Sequence, residues 1–466
     1  MAGIGFELEK LFEKDTYTAE FSAYMAAGLI LAGSWVFSVL AIIVITLYST
    51  ADLTARNQSL LLVITTYSYA GAMLITSLFS IPVTRFIADR LYLGEADAFG
   101  PSYAAYCLIH WCAAGFIGVV FYGMNPLNGT LRLEGTLLLV ACTQVWLSAA
   151  FIGLLRAYAF VALSFLFGYG LATGAAVFLG RAYGLEGYLG GFTLGLTALA
   201  LMLTVHLQLE FAYPRATNFG FLKLVWQRPA LAGIGLFLAL GTWVDKLVFW
   251  MSEEHAHAIT PLLRFFPAYD MSFFLGYITV IPAYAHFLLR VETSFARHVR
   301  HIYSSLVSRE PYERIHEGKR RLMETMNGDF IGLLKIQAPL SLLAVYFAPN
   351  ILAYLKLPPH QSHIFQFSVM AAMGVVLVQV QVLYLIYFDL AGAALIPSGV
   401  YAGANLLLSM LSLKLGYWSY GLGHMLASLI AASAGVLVVN RCVPQLDYIT
   451  LEHFAGLTLR PDPPKK

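Results

Sequence analysis

Asp245 and Lys246 sit side by side inside an otherwise apolar run, 229–250, and this is the first place where the chain could do chemistry. Charge inside hydrocarbon is costly and is retained where an ion or a polar substrate passes. Adjacent residues on a helix do not face each other, so the two need not pair. Two readings stand open: a path-lining or ion-coupling role, or a lysine that reaches for the outer interface beside Trp243 and Trp250. Gln379 and Gln381 fall near the middle of the run 363–388, and Asn405 near the middle of 392–413. Each could line a polar passage or join two helices by a hydrogen bond. Trp35 and Trp243 complete the candidate path, since aromatic faces stack on sugar rings, although Trp and Tyr also gather at both membrane interfaces.

Soluble chemistry is missing from the sequence. It has no G-x-x-x-x-G-K-[ST] phosphate loop, no G-x-S-x-G elbow and no H-E-x-x-H. His360-x-x-His363 and His298-x-x-His301 have metal-compatible spacing but no Cys or carboxylate partners nearby in sequence. The four cysteines, Cys107, Cys112, Cys142 and Cys442, form no C-x-x-C pair. We therefore expect no catalytic residue, metal or cofactor. A net charge of +2 carries no nucleic-acid signature.

What must position these residues is a set of membrane helices. Hydrophobic residues make up 59% of the chain and charged ones 12%, with a mean hydropathy of +0.72. Soluble domains carry about 25% charged residues, and surface-to-volume scaling leaves a water-soluble fold no way to hide so much apolar area. Runs long enough to cross a bilayer, roughly 20 residues, fall at about 21–49, 58–81, 103–123, 134–153, 157–180, 186–207, 229–250, 269–289, 330–348, 363–388, 392–413 and 418–440. The reading is an all-α polytopic membrane protein of about twelve spans, since lipid forbids unpaired backbone and the runs do not alternate as barrel strands do. Tight turns are expected at Arg156 and at Asp389. The N-terminal twenty residues are acidic and amphipathic, unlike a cleavable signal, and suit an interfacial helix. With both termini cytoplasmic, the inner segments hold 20 Lys and Arg against 6 outside, a strong positive-inside bias.

Two landmarks recur six spans apart. Gly33-Ser34-Trp35-Val36 in the first span matches Gly241-Thr242-Trp243-Val244 in the seventh; Ile81-Pro82 matches Ile281-Pro282. An even separation makes this a parallel repeat, with two six-helix lobes around a central cavity. The domains are then an amphipathic segment 1–20, a first lobe 21–207, a linker 208–228, a second lobe 229–440 with a cytoplasmic insertion 290–329, and a tail 441–466. In the insertion, basic residues alternate with Phe295, Ile302, Leu306, Ile315, Leu322 and Met326, which suggests two short amphipathic helices broken near Pro311. Arg297, Arg300, Arg314, Arg320 and Arg321 could dock a cytoplasmic partner, or the pair could lie on anionic lipid headgroups.

The opening Met1-Ala2-Gly3-Ile4-Gly5-Phe6-Glu7-Leu8, the Gly33-to-Val36 core and Trp243-Val244-Asp245-Lys246 resemble the PelG family, and the layout fits along the whole chain. Ser34 and the Glu9-Lys10-Leu11 string depart mildly from the expected pattern. The resemblance implies a multi-spanning inner-membrane subunit of bacterial Pel exopolysaccharide synthesis and export, distantly related to the multidrug/oligosaccharidyl-lipid/polysaccharide exporter superfamily. It implies a cationic, partly deacetylated amino-sugar polymer as substrate. It also implies partners: a cytoplasmic glycosyltransferase (PelF-like), a cyclic-di-GMP receptor (PelD-like) and a membrane scaffold (PelE-like). It carries over no catalytic residues.

Three functions compete. A polysaccharide translocase would pass a growing chain between the lobes, pushed by polymerisation. An ion-coupled exporter of small molecules or lipid-linked oligosaccharides would need buried acidic residues in the first lobe, where Asp52 and Asp89 lie at loops. A membrane-embedded glycosyltransferase would need acidic residues in a large first outer loop, which here is about eight residues long.

Overall fold

The computed structural model describes residues 36–151, 158–210, 216–308 and 310–446. Trp35, the Gly33–Ser34 landmark, Arg156, the N-terminal amphipathic segment and most of the C-terminal tail lie outside the described residues.

The first half comprises α1 (Val36–Asp52), α2 (Ala55–Tyr92), α3 (Phe99–Gly123), α4 (Gly129–Ala149) and α5 (Tyr158–Glu210). A short α6 (Gly220–Gln227) lies in the linker. The second half comprises α7 (Pro229–Trp250), α8 (Pro267–Ile278), α9 (Ile281–Arg290), α10 (Ala296–Val307), α11 (Tyr312–Tyr346), α12 (Ala348–Tyr354), α13 (Ser362–Tyr387), α14 (Ala391–Leu415) and α15 (Leu422–Cys442). Local sequence explains several starts. Thr54 accepts from the Asn57 N–H at 3.3 Å and Asn128 from the Leu131 N–H at 2.8 Å, side-chain caps for α2 and α4. Pro229 and Pro267 occupy the first turns of α7 and α8, where the missing N–H is not needed.

Among the described residues, eight helices are long and apolar enough to cross a membrane. The difference from about twelve runs has physical sources. The runs 157–180 and 186–207 are two helical segments of α5 that double back on each other at Gly184, which adopts φ +63°, a conformation that costs glycine nothing; a β-carbon on Gly191 or Gly195 would stand 2.4 or 2.2 Å from Ala175 or Ala172. The run 269–289 is divided between α8 and α9. Only the last part of the first run is described, and α4 carries Arg132 and Glu134 near its start. The Ile-Pro landmark also folds differently in the two halves: Pro82 lies inside an uninterrupted α2, whereas Pro282 follows the break between α8 and α9. The turn at Asp389 is tight, with φ +61°.

Among the described residues, the two largest apolar cores follow the two halves. One joins α1 to α5; the other joins α7 to α15. Helices α2 and α7 pack across the boundary. A β-carbon on Gly235 would stand 2.1 Å from the Ser77 carbonyl oxygen, so only glycine lets the two helices meet there.

Two features of the second half differ from expectation. A small antiparallel hairpin, β1 (His257–Ala258) with β2 (Arg264–Phe265), follows α7. The insertion breaks at Pro311, but its second helix is not short: α11 runs 35 residues into the apolar run that follows. Phe295, Ile302, Leu322 and Met326 are buried in the second core rather than offered to lipid.

Candidate functional site

Where the halves meet, α1, α2, α7, α8 and β2 line an open cavity of about 350 Å³. Val39, Ile42 and Ile43 face it from α1; Leu62, Val63 and Thr66 face it from α2. The opposing wall is aromatic and charged: Trp243, Lys246, Phe265, Asp270, Phe273 and Tyr277. The period of an α-helix places Trp243 and Lys246, three residues apart, on one face of α7.

Lys246 turns back along its helix. Its Nζ donates to the Thr242 carbonyl at 2.9 Å and lies 3.1 and 3.3 Å from the two Asp245 oxygens. It also stands 4.7 Å from the Phe273 ring centroid and 5.8 Å from that of Trp243, cation–π distances. The pair therefore does form, through the flexible lysine stem, although the helix points the two residues apart. This geometry opposes the reading in which Lys246 reaches for the outer interface.

Asp245 itself stands behind the wall, with no exposed surface. Its Oδ2 accepts the Tyr269 hydroxyl at 2.7 Å and faces Nδ1 of His424 at 2.9 Å. With the His424 proton on Nδ1, Nε2 accepts the Tyr401 hydroxyl at 2.9 Å. Asn405 is equally buried. Its amide donates to the Gly241 carbonyl at 2.8 Å and approaches Asp245 at 3.4 Å, while its oxygen accepts from Ser409 at 2.8 Å. One network thus ties α7, α8, α14 and α15. A buried charge in hydrocarbon needs such full satisfaction, because each lost partner leaves an uncompensated group.

Asp270 is the carboxylate of the wall itself, part-exposed. The Trp250 indole N–H donates to both of its oxygens at 3.1 and 3.0 Å, and the Phe266 N–H to one at 3.3 Å. Trp250 stacks on Tyr67 of α2 at 4.6 Å. The Tyr67 hydroxyl donates to the Arg264 carbonyl at 3.0 Å, so the hairpin is joined to the first half. The Thr260 hydroxyl adds a second link, to Asn125 at 2.5 Å.

Of the residues singled out by sequence, Trp243 and Lys246 line the cavity, and Asp245 and Asn405 back it. The structure does not bring Gln379 and Gln381 there. Gln379 accepts from Tyr284, and Gln381 donates to the Ala432 carbonyl at 3.0 Å, both inside the second half. Trp35 is outside the described residues. Sequence reasoning passed over Asp270, His424, Tyr269 and Tyr401. Asp270 could have been found as an acidic residue just inside an apolar run, and His424 by counting histidine among the intramembrane ionisable groups. In the first half the buried polar cluster is neutral: Gln144 holds Trp111, Tyr103 and Thr204.

At the other end of α2, Arg228 of the linker donates to Asp389 at 2.5 Å and Arg85 lies 3.6 Å from it, an ion cluster drawn from both halves. In the insertion, Arg297, Arg300, Arg314, Arg320 and Arg321 are exposed. Arg297, Arg314 and Arg321 share a groove of about 350 Å³ with His298, His301, Glu310 and Glu317. Arg321 pairs with Glu317 at 2.6 Å, Arg320 with Glu324 at 3.8 Å and Arg314 with Glu310 at 4.0 Å, so the surface is mixed in sign.

Residues 1–451 match the family model described as "PelG: Putative exopolysaccharide Exporter (EPS-E)". A comparison with curated protein sequences finds no match. Among solved structures, the chain is similar to a MOP superfamily transporter from Pyrococcus furiosus, with a TM-score of 0.63 at 10% identity over 91% of this chain and 96% of that one. It is similar to a MATE transporter in the straight conformation, with a TM-score of 0.61 at 12% identity over 91% and 96%. A variant of the Vibrio cholerae MATE transporter VcmN gives 0.60 at 12% identity over 95% and 98%. At such identities the likeness establishes the fold alone, that of an all-α polytopic membrane protein.

Proposed function

The chain belongs to the PelG family of exopolysaccharide exporters, and from that premise we propose that it translocates a nascent cationic amino-sugar polymer, Pel, across the bacterial inner membrane. It acts as the transport subunit of a synthase complex. A cytoplasmic glycosyltransferase (PelF-like) makes the chain, a cyclic-di-GMP receptor (PelD-like) controls it, and a membrane scaffold (PelE-like) holds the assembly. Both termini face the cytoplasm, following the positive-inside bias.

The observation that carries this reading is the cavity between the halves, lined by the aromatic side chains of Trp243, Phe265, Phe273 and Tyr277 beside one Lys and one Asp. Aromatic faces pack on the C–H faces of sugar rings while a few polar groups hold hydroxyls, the composition expected of a small-ligand site. Repeat-built transporters place their substrate at this boundary. Polymerisation supplies the push. Deletion of the gene should abolish secreted polymer, while the transferase in extracts still extends chains from nucleotide sugar. Secretion that persisted without this protein would end the reading.

A second reading, an ion-coupled exporter, draws on the buried Asp245–His424 contact. It lies in the second half, whereas the sequence argument looked for acidic residues in the first. Collapse of the proton and sodium gradients with unchanged polymer secretion would reject it.

A further inference from the structure

The cavity lies toward one end of the boundary between the halves, and contacts close the other end. Past Thr66, the last cavity residue on α2, that helix runs on for roughly 28 Å to Arg85 at 1.5 Å per residue. Along this stretch α2 meets α7 at Ser77 and Gly235. Beyond that contact stands Asp389, in the turn between α13 and α14, with Arg228 at 2.5 Å and Arg85 at 3.6 Å. Arg85 also pairs with Asp89 at 3.1 Å. Part-exposed ion pairs of this kind hold little by themselves. The turn needs further support, because Asp389 has φ +61°, a conformation that persists in a residue other than glycine where its surroundings fix it.

The support comes from the insertion. A turn of π-helix, Val291–Phe295, joins α9 to α10; such turns are rare and recur at functional positions. It ends on Phe295, which is fully buried and packs on the end of α13. The Phe295 ring lies 4.8 Å from Tyr384, 5.2 Å from Tyr387 and 5.9 Å from Phe388, the residue before Asp389. Further along, Tyr303 of α10 packs against the same core. Burial raises the Tyr303 hydroxyl pKa, Asp389 adds to the rise and Arg85 opposes it, so the hydroxyl stands within the field of both charges. The insertion therefore leans on the turn that carries Asp389 and faces the charges that tie this turn to α2. Buried ring contacts outweigh part-exposed ion pairs. We propose that α10 and its π-helical turn form a brace: they press the Asp389 turn toward Arg85 and Arg228, keep the halves together at the end away from the cavity, and must be released before a passage opens there. The brace acts in the same way on any cargo.

The test reads the distance between the halves at that end, by double electron–electron resonance on the full chain in lipid nanodiscs. Spin labels go on Tyr92→Cys in α2, where the side chain is 90% exposed, and on Gly392→Cys in α14, where a β-carbon meets open space. Cys112 and Cys442 are changed to Ser, while Cys107 and Cys142 are buried. Without further substitution, one short distance should dominate. Phe295→Ala should raise the population at longer distance at least about tenfold, the factor given by losing a set of ring contacts. Tyr303→Ala should act in the same direction, and Tyr303→Phe, which keeps the ring, should stay close to the parent. Phe365→Ala, which removes a buried ring from a different core, should leave the distances unchanged. Unchanged distances in both Phe295→Ala and Tyr303→Ala overturn the brace. So does an equal opening in Phe365→Ala, since general loosening would then explain it, or a parent already divided evenly between two distances. The part-exposed Tyr303 keeps the test decisive where Phe295→Ala does not fold. Secretion is not read in this experiment, so a failed brace leaves the translocation reading to its own deletion test.

Discussion

The Nδ1 nitrogen of His424 lies 2.9 Å from the Asp245 carboxylate, and neither side chain has exposed surface. Lys246 reaches the same carboxylate from the cavity side at 3.1 Å. Asp245 thus joins the interior of the second half to a cation on the cavity wall.

Lys246→Met should lower stability markedly, by about 3 kcal/mol in the range for breaking a buried pair, because Asp245 keeps its charge and loses its nearest cation. Asp245→Asn/Lys246→Met should recover much of that loss. Thermal unfolding of the four members of the cycle in detergent measures the coupling; additive losses would show that the pair does not act as a unit.

Gly235→Val should force α2 and α7 apart, since even a β-carbon would stand 2.1 Å from the Ser77 oxygen. The expected cost is about 1–3 kcal/mol, as for overpacked cores. Export should fall together with the melting temperature. A valine variant of wild-type stability would mean the helices separate freely there.

Asp389→Asn should cost less than about 1 kcal/mol, because Arg228 and Arg85 meet Asp389 in a partly exposed cluster. Asp389→Arg should do more harm by placing three like charges together, and Arg228→Asp in the same chain should restore part of the loss. The rescue should weaken as salt rises. Urea or heat unfolding at two ionic strengths reads both effects.

Arg320→Glu with Arg321→Glu should reduce co-purification with the cytoplasmic glycosyltransferase several-fold. Both side chains are more than half exposed, so the fold should tolerate the change. Unaltered co-purification, with binding to anionic vesicles lost instead, would assign these charges to lipid.

Much of this was legible in the sequence, for identifiable reasons. Long apolar runs announce helices because the solvent tolerates little else. Trp243, Asp245 and Lys246 stood out because charge in such a run needs an explanation. What stayed hidden depends on which helices meet. His424 is neutral in ordinary counting, and only the packing of α15 against α14, which itself packs on α7, brings it to Asp245. Asp270 lies three residues past Pro267 at the edge of its run, where an acidic residue reads as interfacial. Gln379 and Gln381 resemble Asn405 in sequence, yet they face Tyr284 and Ala432 inside the second half. The break at Gly184 was legible, because Arg181 and Glu186 divide the apolar runs 157–180 and 186–207 there.

The hairpin after α7 is covalently part of the second half but hydrogen-bonded to the first, through Tyr67 to Arg264 and Asn125 to Thr260. If one half rocks against the other, the hairpin must follow one and strain against the other. Its reach is set by the few residues between Trp250 and β1 and between β2 and Pro267. Any such opening of the cavity would be tethered: its amplitude limited by chain length, and its threshold raised by the hydrogen bonds that join the hairpin segment to the first half.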